Sequence, residues 1–134
     1  MNKILNLTQH VATPEQVTAG VVEPVDKTEV QTLLTFDELP SRERIEAAAE
    51  AIAAIAATDL RVMWLRDTVE QPTIGRVMIG GAPFFMASLE RALRSRGVVP
   101  LYAFSRRDSV DVPQADGSVK KTQIFKHAGF VEVP

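Results

Sequence analysis

Apolar positions along the chain follow two periods, and the change from one to the other marks its elements. Arg76 to Ile79 is a short β-prone run, followed by the turn Gly80-Gly81 and by Pro83, which suits the first position of a helix because its missing N–H has no partner there. Phe85, Leu89, Ala92 and Leu93 then recur at helical spacing. Gly97 fits the left-handed position after a helix end, and Val98 to Phe104 returns as an apolar, β-branched and aromatic strand. This is a βαβ unit, and the rest of the chain is read around it.

Upstream, Lys3 to Leu7 predicts a first strand ending in the polar triplet Thr8-Gln9-His10. Thr13-Pro14-Glu15-Gln16 reads as a helix start, with Thr13 as N-cap, Pro14 at the first position and Gln16 completing a capping box. Val30 to Phe36 reads as a second strand. Ser41 to Ala57 predicts a helix whose Ile45, Ala48, Ala49, Ile52, Ile55 and Ala56 form one stripe opposite Glu43, Glu46 and Glu50. The small residues of that stripe imply close approach to a sheet. Leu60 to Leu65 reads as a third strand; its connection to Arg76 is short for a helical crossover between parallel neighbours, so either the two strands pair antiparallel or one of them is a loop. Downstream, Arg106 to Val112 and Val119 to Phe125 flank an Asp116-Gly117 turn and predict a hairpin. Strands alternating with helices give an α/β class: a single domain over residues 1–134, with a Rossmann-like, mostly parallel sheet flanked by helices and a C-terminal β-hairpin.

A chain of 134 residues is long enough to bury a core without covalent staples. The formal net charge of −2 argues against a protein that coats long nucleic acid nonspecifically, and is compatible with one holding a small anion through a few local cations. No cysteine is present, which removes disulfides and thiolate metal sites, and the two histidines lie far apart, so neither a metal nor a cofactor is expected. There is no apolar run long enough to span a membrane, and the N-terminus lacks a signal-peptide core; a cytoplasmic location is the expectation.

In open α/β sheets ligands bind beyond the carboxyl ends of the strands. Three groups should meet there: Thr8, Gln9 and His10 after the first strand; Gly80, Gly81 and Ala82 after the fourth; and Ser105, Arg106 and Arg107 after the fifth. A helix opening from a Gly-Gly turn offers free N–H groups to an anion, and two guanidiniums beside it would clamp phosphate. The bland readings are a hydrogen-bonded loop for His10, a packing turn for the glycines and a solvated strand end for the arginines. Gly80-Gly81 is neither a dinucleotide fingerprint nor a P-loop. Of Phe84 and Phe85 only one can face the core; the other is an interface residue or a stacking platform for a base. Lys126 and His127 read as structural or surface residues, and Asp108 and Asp111 as partners of the arginines.

Leu5 to His10 followed by Thr13-Pro14-Glu15-Gln16 resembles the opening of small stand-alone CRISPR-associated Rossmann-fold (CARF-like) proteins. Gly97 to Arg107, Asp116-Gly117 and Phe125 to Phe130 resemble their C-terminal half. The resemblance implies a homodimer that binds cyclic oligoadenylate, the second messenger of type III CRISPR antiviral defence; some members cleave it as ring nucleases and others only bind it. It also implies metal-independent cleavage by in-line attack of a ribose 2′-hydroxyl, with Gly80 and Gly81 holding phosphate, Arg106 or Arg107 stabilising developing charge, and His10 orienting or protonating. Thr8, Gln9, Ala82 and Ser105 complete the expected ligand set. The alternatives are a non-catalytic Rossmann-like interaction module and a mononucleotide enzyme.

Overall fold

The computed structural model describes residues 3–67 and 74–134. Its elements, in chain order, are β1 (Ile4–Leu7), α1 (Pro14–Thr18), β2 (Val21–Val22), α2 (Lys27–Leu33), α3 (Arg42–Asp67), β3 (Gly75–Ile79), α4 (Pro83–Ser95), β4 (Val98–Pro113) and β5 (Val119–Glu132). They form a five-stranded sheet in the order β2-β1-β3-β4-β5. The pairings of β1 with β2, β1 with β3 and β3 with β4 are parallel, and β4 with β5 is antiparallel. The α/β class, the mostly parallel sheet and the C-terminal hairpin expected from the sequence are therefore present.

Two expected strands are helices. Val30 to Phe36 falls largely in α2, whose Asp26 side chain accepts a hydrogen bond from the Glu29 N–H at 3.0 Å and starts the helix upstream of the apolar run. Val30, Leu33 and Leu34 then share one helical face. Leu60 to Leu65 belongs to the 26-residue α3, because Ile52, Ala56, Leu60 and Met63 continue the apolar stripe without a break. Part of the connection from Leu65 to Arg76, residues 68–73, lies outside the described residues.

Strand alternation sends Leu5, Leu7, Val77 and Ile79 to one sheet face, where they pack with α2, α3 and α4 around Ile52, Phe85 and Leu89. α3 approaches the sheet closely: a Cβ on Gly75 would stand 2.5 Å from Leu60 Cδ1. The opposite face carries a smaller cluster of Ile4, Val21, Met78 and Leu101, joined by Ala12, Val99 and Phe130. Its helical cover is the five-residue α1, which has no buried residue.

β4 and β5 continue far past the parallel sheet. Register runs from Leu101 opposite Glu132 to Pro113 opposite Val119, with a bulge where Phe104 faces Gly129 but Ser105 faces His127, leaving Ala128 unpaired. The expected turn closes this ribbon: Gly117 has φ +86° and the Asp116 carboxylate accepts from the Ser118 N–H at 2.9 Å. The segment after Phe125 completes β5.

Candidate functional site

Strand β1 leaves the sheet through a turn built on a buried side chain. Asn6 is wholly buried, and its carboxamide oxygen accepts from the Thr8 N–H at 3.0 Å and the Thr8 hydroxyl at 2.7 Å. Its NH2 donates to the His10 carbonyl at 2.8 Å and to the Glu23 carboxylate at 3.0 Å. Lys27, from α2, donates to the Thr8 and His10 carbonyls at 2.7 and 2.9 Å and pairs with Glu23 at 3.1 Å. Gln31 donates to the Gln9 carbonyl at 2.8 Å. The carbonyls of residues 8 to 10 are thus all committed. The N–H groups of Gln9, His10 and Val11 find no acceptor among the described residues.

Burial alone would raise the Glu23 pKa, but hydrogen bonds from the Ala12 N–H, Asn6 and Lys27, with the Lys27 charge, more than offset it and hold the carboxyl below its ordinary value. Glu23 is therefore an anion at neutral pH that ties α1's approach, α2 and the β1 turn together.

Beside this turn, β3 ends in Gly80-Gly81. Gly81 has φ +151°, and a Cβ there would also meet Met86 Cε at 3.4 Å, whereas a Cβ on Gly80 would have only Thr8 Cγ2 nearby, at 3.6 Å. Ala82 is the N-cap of α4 and offers no side-chain hydrogen bond, leaving the first turn, with Pro83 at its start, uncapped. A cavity of about 480 Å³ opens over the carboxyl ends of β1 and β3 and beside Tyr102 and Ala103 of β4. Thr8, Gln9, His10, Gly80 and Gly81 line it with Val11, Thr13, Gln16, Met78, Ile79, Tyr102 and Ala103. No Lys, Arg, Asp or Glu is in that lining.

Of the three expected groups, the first lines the cavity whole and the second through Gly80 and Gly81 but not Ala82. The third lies elsewhere because β4 does not end at Phe104: Ser105, Arg106 and Arg107 are in the ribbon, outside the lining. Arg106 pairs with Asp108 at 3.2 Å, and Arg107 lies over the Phe125 ring at 5.3 Å, on opposite ribbon faces. Asp111 stands across from Lys121.

What occupies the third place is Tyr102, opposite Ile79 at the end of the parallel ladder. Its hydroxyl donates to Glu90 on α4 at 2.7 Å; burial first, and then that carboxylate, push its pKa up. Tyr102 was legible only through strand register, which needs the partner strand's end. Thr13 and Gln16 form the expected capping box, with hydrogen bonds of 3.2 and 3.0 Å, and face the cavity as well. Phe85 is buried, while Phe84 is exposed and packs edge-on against Phe36 at 5.1 Å, away from the lining. Lys126 is exposed; His127, half-buried, stacks edge-on with Phe130 at 4.9 Å.

Fold and cavity define an α/β protein with a strand-end cavity at the point where the strand order reverses, between β1 and β3, the place where open α/β sheets bind their ligands. The chain belongs to the family described as "Uncharacterized protein MJ1673 family", whose model matches residues 2–131. No curated protein and no solved structure matches it. Among the described residues no helix is long and apolar enough to cross a membrane, and no group of His, Asp and Glu side chains is arranged to hold a metal ion.

Proposed function

We propose that this chain binds cyclic oligoadenylate as a homodimer, each cavity taking part of the ring. The observation that carries a phosphate-bearing ligand is the turn after β1: its carbonyls are locked to Lys27, Gln31 and Asn6, while three successive N–H groups beside an uncapped helix start have no acceptor among the described residues. Such groups favour anions. The absence of acidic side chains from the lining agrees with this. The choice of cyclic oligoadenylate rests on the resemblance of residues 5–16 and 97–130 to CARF-like proteins.

Cleavage is the second part of the proposal. A ribose 2′-oxygen would bond to the adjacent phosphorus as the bond to the 5′-oxygen breaks; the 2′-proton leaves to a base and the 5′-oxygen takes one up. Within one protomer the lining offers a single imidazole, His10, for this proton traffic. The competing reading, a binding module without catalysis, is favoured by the position of Arg106 and Arg107 outside the lining, which leaves the transition-state charge without a guanidinium from the same chain.

Titration calorimetry against linear and cyclic oligoadenylates of several ring sizes, followed by chromatography of the mixtures, tests both parts. Saturable binding of one ring size with accumulation of linear product is the expected outcome. Binding without product would remove the catalytic part, and no binding to any ring would remove the ligand.

A further inference from the structure

Beyond Ala103 and Phe130 the β4–β5 ribbon has almost no support from its own chain. Residues 119–126 of β5 are all exposed, and so are most of those opposite. Among the described residues, one hydrogen bond ties the ribbon's base to the body, from the His127 N–H to the Glu15 carboxylate at 3.0 Å. An isolated two-stranded ribbon is marginal in water, since it has no layer to bury its side chains against. This one nevertheless carries Ile124 and Val112, each 39% exposed, on one face and Phe125, 67% exposed, on the other.

The ribbon and the remainder of the chain also differ in charge. Residues 105–127 hold five Lys and Arg (Arg106, Arg107, Lys120, Lys121, Lys126) against Asp108, Asp111 and Asp116, so the rest of the chain holds ten against fourteen acidic residues. The body likewise has an incompletely covered surface. Mostly parallel sheets are usually covered on both faces. Here the face opposite α3 and α4 leaves Ala103 exposed and Val99 and Phe130 half-buried, with acidic Glu132 exposed on the same face.

We propose that residues 105–127 are an arm that docks on this sheet face of a second copy of the chain, its net positive charge meeting the partner's net negative body. The pairing is reciprocal, as a two-fold dimer requires. The proposal deepens the dimer of the preceding section and is independent of its ligand.

Sedimentation equilibrium of the full chain, without ligand, is the first test. The unmodified protein should be a dimer at micromolar concentration, and Ile124→Glu/Phe125→Glu should raise the dissociation constant by about tenfold or more. Circular dichroism establishes that the body of the variant stays folded. The second test uses the absence of cysteine in the chain: Gln123→Cys takes a benzophenone label at that position alone, and irradiation of a mixture of 14N- and 15N-labelled copies should give peptides joined between copies, with attachment around Val99, Ala103 and Phe130. A monomer overturns the arm, as does a dimer indifferent to Ile124→Glu/Phe125→Glu with cross-links only within copies. A monomer whose ribbon instead protects on addition of single-stranded RNA overturns it in favour of nucleic acid. A cross-linked dimer that binds no oligoadenylate supports the arm and removes only the ligand.

Discussion

Asn6 shows how one buried amide can shape a binding turn. It satisfies the Thr8 N–H, the His10 carbonyl and Glu23 at once. Asn6→Ala should therefore cost about 1–3 kcal/mol in urea unfolding, the range for stranding buried polar partners. The two glycines after β3 separate by backbone conformation. Gly81, at φ +151°, should lose stability on replacement by any L-residue, on the order of 1–3 kcal/mol. Its substitution is therefore a measure of folding, although the sequence pointed to it as a phosphate contact. Gly80→Val is the better probe of the ligand: neighbouring atoms leave room for its Cβ, so oligoadenylate affinity should fall more than the melting temperature does, and the reverse order would make the turn a packing feature. Glu23 links the site to pH. Its folded pKa lies below its ordinary value of 4.5, so the stability it contributes is present above that value and is lost as pH falls through the folded pKa. Unfolding of wild type and Glu23→Gln, compared from neutral pH down to about pH 3, should show a wild-type advantage that disappears at the acid end.

At the level of elements, what could be read from the sequence was whatever is decided locally. The capping box at Thr13, Pro83 and Gly97 at the ends of α4, and the Asp116-Gly117 turn all act within a few residues of themselves, and all are found. Val30 to Phe36 and Leu60 to Leu65 were short apolar runs whose composition suits a strand or a buried helix, and only the elements packed against them decide between the two. The signals that pointed to helix were Asp26, an N-cap a few residues before the first run, and the unbroken spacing of Ile52, Ala56, Leu60 and Met63 for the second. Asp26→Ala should cost about 1 kcal/mol, and because Lys27 follows it directly, it should also loosen the turn after β1. Hydrogen exchange at Thr8 and Ala12, whose N–H groups are bonded to Asn6 and Glu23, would report that loosening, and an unchanged turn would mean that Lys27 is held by Glu23 alone. For the site, the turns after β1 and β3 could be anticipated because each follows a short strand with a visible end. The contribution of β4 could not, since nothing local says where a sixteen-residue strand leaves its parallel neighbour.

For the molecule as a whole, the difference is between a body with a layered core and a ribbon without one. In dilute solution, amides of residues 106–112 and 119–126 should exchange much faster than those of β1 and β3, and should slow as protein concentration rises and copies associate. Concentration-independent exchange would argue that the ribbon is held by its own chain. The bulge at Ala128 bears on which side chains the ribbon shows to each side. After it in the chain, odd-numbered β5 residues such as Val131 stand beside Tyr102 on the helix-covered side; before it, His127 and Phe125 stand beside Ser105 and Arg107 on the other. One unpaired alanine therefore inverts the parity of the outer half of β5. Deleting Ala128 would remove no side chain larger than a methyl, yet it would exchange Phe125 and His127 with Ile124 and Lys126 across the ribbon, so that a change in the chain's count, rather than in its chemistry, would rewrite the surface it presents.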